Sequence, residues 1–524
     1  MFKSKYLDAV DAHACVSPDT FVFRNSIGQT LTYGQLQVRS NALALFLHGL
    51  EGLPEHAPVI VFGHKSPYML VAMHACAKAG HPYVPLDAIY PADRVANIIS
   101  QIGDTLVFDT SSGVLDWASL DVDKRPQIVG LSEVEQLSAC DASVEEVESL
   151  PGLDPTDVMY IIFTSGSTGA PKGVEVMSEC VDGFLAWLDE IYNFAEPGGR
   201  IWFNRAAYSF DLSVTDLVYA PAHGDTCFAL EGPAETSLAE AFSALSESHI
   251  TDWVSTPSFL DQCLADESFG PDLLPDLKRM LFVGETLRPI TVELAKKRFG
   301  DLSIYNGYGP TESCDFVSLC EIDDEMVASG VSLPVGYAME GMELAVLDPD
   351  TLERKPDGEP GELFILGHTV AKGYFGRPDL TDAAFHSCPE VIAKGRKSYR
   401  TGDEMTKGLD GLYYFHGRLD LQIKLHGFRI ELGDIESRLS AIPIVQSVCV
   451  VPVIRDGVTH HLCACVVVTD TDLKGLKLTR RLKGELAETL PAYMIPTTFK
   501  YLDELPLNNN GKIDRKALAQ AYGG

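Results

Sequence analysis

Short apolar runs alternate with segments of helical periodicity over most of the chain. Residues 58–62 and 82–85 are apolar runs of strand length, and residues 69–78 between them have the spacing of a buried helix. The same order recurs where the strand-like residues 279–283 precede the helical residues 290–298. Strands that alternate with helices are typical of parallel sheets covered by helices. The pattern therefore predicts an α/β fold with layered, largely parallel sheets.

Two stretches divide the chain into larger units. An acidic, loop-rich interval over residues 131–157 separates an amino-terminal portion from the strand that follows, and a second break falls near residues 417–433. We place the boundary at Asp420, which gives a large α/β domain over residues 1–419 and a small α+β domain of about a hundred residues over 420–524. The predicted elements after the break are a helix over 434–441, strands over 445–453 and 463–468, and a helix over 476–490.

The composition is that of a globular protein with substantial cores. The chain has 524 residues, of which 46% are hydrophobic, and domains usually contain roughly 100–200 residues. No apolar signal segment opens the chain, and no apolar run has the length of a membrane span. The twelve cysteines occur singly apart from Cys463 and Cys465 and lack zinc-site spacing. We therefore expect reduced thiols and a cytoplasmic protein.

The net charge of −33 argues against nucleic acid and anionic membranes as partners. Residues 421–524 carry 13 Lys and Arg against 11 Asp and Glu, a net of +2, whereas the remainder carries 28 against 63, a net of −35. Most basic runs are solvated helix faces, but one run near the carboxy terminus is also a candidate landing patch for an acidic partner. This basic cluster consists of Lys474, Lys477, Arg480, Arg481 and Lys483.

One loop has the composition of an anion-binding site. The apolar residues 160–163 predict a buried strand, which leads into small hydroxyl and glycine residues and then Lys172. Glycines let backbone N–H groups approach an anion, hydroxyls add donors and lysine adds charge, which suits a nucleotide polyphosphate. The P-loop pattern is absent, and a polar surface turn is the alternative. This phosphate loop consists of Thr164, Ser165, Gly166, Ser167, Thr168 and Gly169.

Further motifs follow the phosphate loop in a fixed order. They are Phe210-Asp211-Leu212-Ser213-Val214, Asn306-Gly307-Tyr308-Gly309-Pro310-Thr311-Glu312, Gly361-Glu362-Leu363, Tyr399-Arg400-Thr401-Gly402-Asp403, Gly417-Arg418-Leu419-Asp420 and Asn510-Gly511-Lys512-Ile513-Asp514. The ordered series resembles the adenylate-forming superfamily, which contains acyl- and aryl-CoA ligases, luciferases and the amino-acid adenylation enzymes of nonribosomal peptide synthesis. Through the first motif and residues 255–259 and 272–275, the chain is especially similar to free-standing D-alanine–carrier protein ligases.

The resemblance implies that an amino-acid carboxylate attacks the α-phosphate of ATP to give an aminoacyl-adenylate and pyrophosphate. Two anions must meet, so their repulsion has to be offset. Lys512 matches the family's catalytic lysine, which would bridge the carboxylate and the α-phosphate; an exposed tail lysine is the alternative. Residues 164–169 and Lys172 would hold the β- and γ-phosphates. Asp420 aligns with the hinge of a mobile small domain.

The resemblance also assigns the nucleotide and metal contacts. Glu312 fits a magnesium ligand, because its hard carboxylate oxygen suits a hard cation. Asp403, with Arg418 nearby, would accept ribose hydroxyls, and an ion pair with Arg400 is the alternative. Tyr308 would stack on adenine unless it is a core tyrosine. The same motif adds Asn306, Gly307, Gly309, Pro310 and Thr311, of which Thr311 would touch the α-phosphate.

Asp211 favours an amino acid over a fatty or aryl acid. Its carboxylate would lie in a mostly apolar pocket, where an unpaired charge is costly, and a substrate α-ammonium would neutralise it. A helix N-cap is the alternative role for this aspartate.

The family's pocket positions transfer to a set of residues around Asp211. Val283 stands where D-alanine ligases carry a cysteine, and Asp315 stands where they carry an aliphatic residue. A second acid beside the small Gly307 predicts a small polar or basic amino acid, unless Asp315 points to solvent or pairs with a cation. The transferred positions are Leu212, Thr215, Val254, Leu281, Val283, Gly307, Asp315 and Phe316.

The last part of the prediction concerns the acceptor of the aminoacyl group and the alternative functions. No carrier domain follows the Lys512 motif, so we expect transfer of the aminoacyl group to the phosphopantetheine thiol of a separate, acidic carrier protein. The basic cluster is a candidate contact for that carrier. An acyl- or aryl-CoA ligase and an inert nucleotide-binding homologue are the alternatives.

Overall fold

The computed structural model describes residues 4–165, 170–192, 198–329, 331–420, 422–455, 458–469, 473, 475–507 and 513–523. These residues form two large sheets flanked by helices, a smaller antiparallel sheet and a carboxy-terminal α+β portion. The predicted α/β class, with a large and a small portion, is confirmed.

The strands are β1 (Phe21–Asn25), β2 (Thr30–Thr32), β3 (Val59–Gly63), β4 (Tyr83–Asp87), β5 (Leu106–Asp109), β6 (Gln127–Gly130), β7 (Val158–Thr164), β8 (Lys172–Met177), β9 (Ile201–Asn204), β10 (Thr226–Ala229), β11 (Asp252–Ser255), β12 (Arg279–Phe282), β13 (Ser303–Tyr308), β14 (Ser318–Glu321), β15 (Tyr337–Ala338), β16 (Glu343–Leu347), β17 (Pro360–Leu366), β18 (Gly373–Tyr374), β19 (Ser398–Lys407), β20 (Tyr413–Arg418), β21 (Gln422–Leu425), β22 (Phe428–Glu431), β23 (Val445–Arg455), β24 (Val458–Val468) and β25 (Thr498–Tyr501).

The α-helices are α1 (Lys5–Val16), α2 (Tyr33–His48), α3 (Pro67–Lys78), α4 (Ala92–Ile102), α5 (Leu131–Ser138), α6 (Val144–Glu148), α7 (Ser178–Tyr192), α8 (Ala220–Ala222), α9 (Pro233–Thr236), α10 (Leu238–Ser246), α11 (Pro257–Leu264), α12 (Pro289–Phe299), α13 (Asp324–Ala328), α14 (Pro378–Phe385), α15 (Glu390–Ala393), α16 (Leu432–Ser440), α17 (Leu476–Thr489) and α18 (Arg515–Tyr522). A π-helix covers Thr215–Tyr219, and 3-10 turns cover Trp117–Ser119, Thr311–Ser313 and Ala492–Met494.

Parallel pairing dominates the two large sheets. Their strand orders are β18-β8-β7-β4-β3-β5-β6 and β15-β14-β13-β12-β11-β9-β10-β1-β2. Neighbours are parallel from β7 to β6 in the first sheet and from β13 to β1 in the second, and antiparallel at the remaining edges. Strands β3 and β4 are buried along their whole length, as their near-continuous apolar runs predict.

The carboxy-terminal portion has its own cores. The hairpin β21–β22 precedes α16, and β23 pairs with β24, which pairs in parallel with β25. Apolar residues of α16 and α17, such as Ile435 and Leu482, pack with Val450 on one face of this sheet. Leu518 of α18 packs on the other face with Cys449 and its neighbours. Both faces of the sheet are therefore covered by helices.

One part of the sequence interpretation needs correction. Residues 131–157 were expected to be loop-rich, yet they contain α5 and α6. Val134 and Ser138 of α5 are buried, so a short amphipathic stripe within an acidic segment was enough to form a helix against the body.

The described part of the chain contains no helix with the length and apolarity needed to cross a bilayer. Each of the twelve cysteines is free, and nine are buried.

Candidate active site

A cavity of about 410 Å³ opens between the two large sheets and the hairpin β21–β22. Its walls come from the loops after β3, β4, β7, β9, β11, β12 and β13, and from the hairpin. These loops follow the carboxyl ends of parallel strands, where open α/β sheets bind ligands. The volume is that of a small-molecule site.

The first residues of the phosphate loop border this cavity. Thr164 ends β7, and both it and Ser165 line the wall. The Ser165 hydroxyl donates to the carbonyl oxygen of Arg429 at 2.7 Å and accepts from the N–H of Glu431 at 3.2 Å. The start of the loop is therefore attached to strand β22 of the hairpin. Residues 166–169 lie outside the described residues.

Glu312 is fully buried and surrounded by positive charge. Its Oε2 accepts from Arg429 Nη1 at 2.6 Å, and its Oε1 accepts from the Tyr374 hydroxyl at 2.6 Å and lies 3.4 Å from Lys172 Nζ. Burial alone would raise the pKa of Glu312, but Arg429 and Lys172 hold it well below its usual range. Burial, helped by Arg429, lowers the pKa of Lys172 to about 8.

Asp403 and Arg418 face each other across β19 and β20 and line the cavity together. Arg418 Nη1 donates to Asp403 Oδ1 at 2.9 Å, and the Tyr308 hydroxyl donates to Oδ2. The alternative pairing of Asp403 with Arg400 is wrong. Arg400 instead holds Glu362 through two bonds, from Nε at 2.8 Å and from Nη2 at 2.6 Å.

The Tyr308 motif only partly reaches the cavity. Tyr308 is 5% exposed and lies behind the wall, with Lys424 Nζ 5.7 Å from its ring centroid and the Phe415 ring 6.1 Å away. Asn306 is also behind the wall, where it donates to the carbonyl oxygen of Pro334 at 2.7 Å. In this arrangement Tyr308 has the surroundings of a core tyrosine. The motif residues that do line the cavity are Gly309, Pro310 and Thr311.

Asp211 and Leu212 line the cavity just before the π-helix Thr215–Tyr219. Burial raises the pKa of Asp211, while the Thr311 hydroxyl and Lys424 act in the opposite direction. The helix begins at Ser213, and Asp211 joins its first turn through its backbone carbonyl oxygen, which accepts from the N–H of Val214 at 2.7 Å. The N-cap role of Asp211 therefore stays an alternative.

Asp315 lines the same cavity and is only 2% exposed. The Thr215 hydroxyl donates to its Oδ2 at 2.7 Å. Burial and the negative charge of Asp211 raise the pKa of Asp315 well above its usual range. Within the described ranges, no basic side chain forms an ion pair with it. The alternative, in which Asp315 points to solvent or pairs with a cation, is therefore wrong for this part of the chain.

Several predicted pocket residues lie behind the wall rather than in it. Val254 and Leu281 are register partners in the core of β11 and β12. Phe316 packs edge-on against Phe184, with ring centroids 5.0 Å apart. Thr215 reaches the cavity only through its bond to Asp315.

Gly307 lies where the surrounding atoms leave no room for a side chain. A Cβ at this position would lie 2.9 Å from the carbonyl oxygen of Ser318 and 3.3 Å from Val283 Cγ2. Val283 itself lines the cavity, so the glycine lets the strand carrying Ser318 approach the pocket wall closely.

The hairpin β21–β22 contributes residues that the sequence analysis did not assign to the site. Lys424, Phe428 and Arg429 all line the cavity, and Phe428 stacks on Tyr493 with centroids 3.6 Å apart. The sequence does carry a signal for this hairpin: two short alternating runs flank His426 and Gly427, which take the positive φ angles of 53° and 82°.

A group of four charged residues, the His64 cluster, joins the two large sheets at the cavity wall. His64 Nδ1 lies 2.8 Å from Asp87 Oδ2, and its Nε2 lies 2.6 Å from Glu235 Oε2. Lys65 Nζ, which is buried, donates to Glu235 Oε1 at 2.8 Å. Burial would lower the pKa of His64, but the bonds to Asp87 and Glu235 raise it to about 9. The predicted motifs included none of these residues.

The catalytic-lysine position, Lys512, lies outside the described residues. The residues that flank it, Leu507 and Ile513, form a bridge with each other, and neither borders the cavity. The predicted hinge residue Asp420 accepts from Arg418 Nε at 2.9 Å and from the N–H of Gln422 at 3.0 Å.

Most of the predicted basic cluster lies on α17. Lys477, Arg480 and Arg481 are exposed, and Arg481 Nε pairs with Glu485 at 2.8 Å. Lys483 Nζ donates to the carbonyl oxygen of Thr497 at 2.9 Å. Lys474 lies outside the described residues.

Family models match both portions of the chain. The AMP-binding enzyme model matches residues 10–375, and the model of the AMP-binding enzyme C-terminal domain matches residues 434–512. The chain therefore belongs to the AMP-binding enzyme family. This confirms the resemblance inferred from the ordered motifs.

Curated relatives define the similarity more narrowly. The chain is 38% identical to the D-alanine–D-alanyl carrier protein ligase of Bacillus licheniformis over 98% of this chain and 99% of that protein. It is 37% identical to the protein of the same name from Listeria monocytogenes over 98% of each. The adenylation domain AlmE of Vibrio cholerae, solved with glycyl-adenosine-5'-phosphate, shares the fold with a TM-score of 0.81 at 22% identity, covering 99% of this chain and 98% of that one.

Proposed function

We propose that this chain is an ATP-dependent amino acid–carrier protein ligase. It forms an aminoacyl-adenylate with release of pyrophosphate and then transfers the aminoacyl group to the phosphopantetheine thiol of a separate carrier protein. The observation that carries this proposal is one cavity lined by both Asp211 and the Asp403–Arg418 pair. Full-length relatives named as carrier protein ligases support it.

The nucleotide binds along the Asp403 side of the cavity. Asp403 accepts ribose hydroxyls, and Arg418 fixes the orientation of its carboxylate through the 2.9 Å bond. Lys172 and the loop that begins at Thr164 hold the β- and γ-phosphates, and Thr311 contacts the α-phosphate. Adenine can stack on Tyr308 once Lys424 leaves the face of that ring.

The amino acid binds at Asp211. Burial penalises the charged form of this carboxylate and raises its pKa. The positive charge of a bound α-ammonium group would stabilise the ionised carboxylate. A fatty or aryl acid has no such group, which is why the proposal excludes a simple acyl ligase.

Magnesium is typical of this family, and Glu312 supplies one hard oxygen donor for it. The same carboxylate already binds Arg429 and lies near Lys172, so a further cation fits beside it only when Arg429 withdraws. In that arrangement Glu312 and the ATP phosphates would hold the ion, which would offset phosphate charge.

The two chemical steps need two positions of the small domain, proposed as residues 420–524. In this structure the hairpin brings Lys424 and Arg429 to the cavity, while the segment after Lys512 is anchored through Leu518 on β23. We propose that Lys512 contacts the phosphates in a second position of this domain, reached by a rotation about Asp420, the proposed hinge. The hairpin position then serves thioester formation.

The central test is ATP–pyrophosphate exchange by wild type and Lys512→Ala with a mixed amino-acid pool. We expect the variant to lose on the order of 100-fold or more of exchange, because a charge that stabilises the transition state is removed. Transfer to the carrier from supplied aminoacyl-adenylate should persist. Lys297→Ala, at an exposed lysine of α12 outside the cavity, is the matched control.

Three outcomes contradict the proposal. If the Lys512→Ala variant retains exchange activity, Lys512 is not a catalytic residue. Wild-type thioester formation with coenzyme A in place of a carrier protein indicates a CoA ligase. If the wild-type protein exchanges no pyrophosphate with any acid, it is an inert homologue.

The carrier contact is tested by reversing charge on α17. Carriers of this type are acidic, and the double variant Arg480→Glu/Arg481→Glu should slow aminoacyl transfer about tenfold while leaving exchange unchanged. Lys297→Glu, at an exposed lysine of α12 on the large domain, is the control. If both variants transfer the aminoacyl group at the same rate, the basic cluster is not part of the carrier interface.

A further inference from the structure

The two acids of the amino-acid pocket differ in their surroundings. Asp211 lies within reach of the positive charges of Lys424 and Arg429. Asp315 is influenced by the carboxyl groups of Asp211 and Asp216 and by the Thr215 hydroxyl. Among the largest influences on its pKa, Asp211 therefore has two cations beside the carboxylate of Glu312, whereas those on Asp315 are two carboxyl groups and the hydrogen bonds from Thr215.

The contacts of Asp315 leave it facing the cavity. Thr215 has a single hydroxyl proton, and it is donated to Oδ2 at 2.7 Å. The side chain is 2% exposed and still forms part of the cavity wall. A carboxylate this deeply buried is costly to ionise unless a cation meets it.

Asp216, the third nearby acid, is occupied by Asn204. The Asn204 Nδ2 group donates to Asp216 Oδ2 at 2.6 Å, and the remaining Oδ1 atom of each residue is buried without a partner. Burial raises the pKa of Asp216 to about 8. The raised pKa favours the neutral form of Asp216, whose carboxyl proton is then available to a buried acceptor.

Resting on the proposed function, we propose that Asp315 is a specificity-determining residue that selects an amino acid with a second ammonium group in its side chain. Asp211 binds the α-ammonium, and Asp315 binds the side-chain ammonium. Leu212 and Val283, the apolar wall residues, contact the methylene groups between the two charges. With both cations in place the two buried carboxylates ionise together; with an aliphatic or hydroxyl side chain one of them stays protonated or unpaired.

The wild-type enzyme alone tests this assignment. ATP–pyrophosphate exchange is measured with glycine, both enantiomers of alanine and serine, 2,3-diaminopropionate, 2,4-diaminobutyrate, ornithine and lysine. We expect a diamino acid to exceed the best neutral amino acid by at least about tenfold in kcat/KM. Preference for alanine, glycine or serine overturns the assignment of Asp315 but leaves the proposed function intact. No exchange with any amino acid overturns both.

A matched pair of variants then locates the selectivity. Asp315→Asn keeps the shape of the side chain and should lower kcat/KM for the diamino acid about 100-fold, a much larger loss than for neutral amino acids. Asp216→Asn, at a neighbouring acid that does not line the cavity, should keep the wild-type ranking of substrates. An unchanged ranking in a folded Asp315→Asn variant, checked by its melting temperature and AMP binding, contradicts the proposal.

Discussion

Two groups of buried or half-buried carboxylates lie at one cavity, and their charges are balanced in different ways. In the His64 cluster, Asp87 and Glu235 each bind His64, and Glu235 also binds Lys65, so burial is outweighed and the pKa of Glu235 falls to about 2. In the amino-acid pocket, burial raises the pKa values of Asp211 and Asp315. The cost of burial is thus offset inside the protein in the His64 cluster, and on the proposed function a bound amino acid would offset it at Asp211 and Asp315.

Removing the charge of Asp211 should impair activity without lowering stability. We expect Asp211→Asn to lower kcat/KM for amino-acid-dependent exchange about 1,000-fold, because the α-ammonium loses a buried counterion. The melting temperature should stay constant or rise, because the burial of this carboxylate outweighs the help of Thr311, Lys424 and Arg429. A variant that keeps its substrate choice, or that unfolds, would show that Asp211 has a structural role.

Removing the charge of Glu235 should instead lower the stability of the protein. Glu235→Gln leaves Lys65 and part of His64 without a counterion, and we expect a loss of about 3 kcal/mol in the free energy of unfolding. Urea unfolding measures it, with the exposed Glu293→Gln on α12 as control. If the midpoint does not move, the His64 cluster is no more than a surface ion pair in energetic terms.

The pH dependence of stability sharpens the same contrast. The pKa of His64 is raised from 6.5 to about 9 in the folded protein, so its contribution is fully present below pH 6.5 and is lost as the pH rises through about 9. Allowing for its partial exposure, we expect this loss to be about 2 kcal/mol. Urea unfolding at pH 6 and pH 9.5 measures it, and His64→Gln should remove most of the difference. Parallel pH profiles for wild type and variant would contradict the assignment.

Much of the fold could be read from the sequence because its signals are local. The apolar run at residues 58–62 corresponds to β3 (Val59–Gly63), since a strand buried on both faces needs no alternation. The order of motifs gave the family, and Asp211, Asp315 and Asp403 all border one cavity. These residue types are unusual enough in an apolar setting to be recognised without coordinates.

The errors concern contacts that depend on register and on domain position. Asp403 pairs with Arg418 because β19 and β20 place them opposite each other, whereas Arg400 meets Glu362 on the neighbouring strand β17. Position along the chain favoured Arg400 and carried no information on the pairing of strands. The place of Lys424 over Tyr308 depends on how the hairpin enters the cavity, which no local pattern specifies.

The attachment of Ser165 to the hairpin has a consequence for the catalytic cycle. Its single hydroxyl proton is already committed to the backbone of Arg429, and the same proton is what an incoming triphosphate would require. On the proposed function, binding of the triphosphate and attachment of the hairpin therefore exclude each other at this oxygen atom. The arrival of a nucleotide would then favour detachment of the hairpin from Ser165, and its departure would allow the hairpin to bind again.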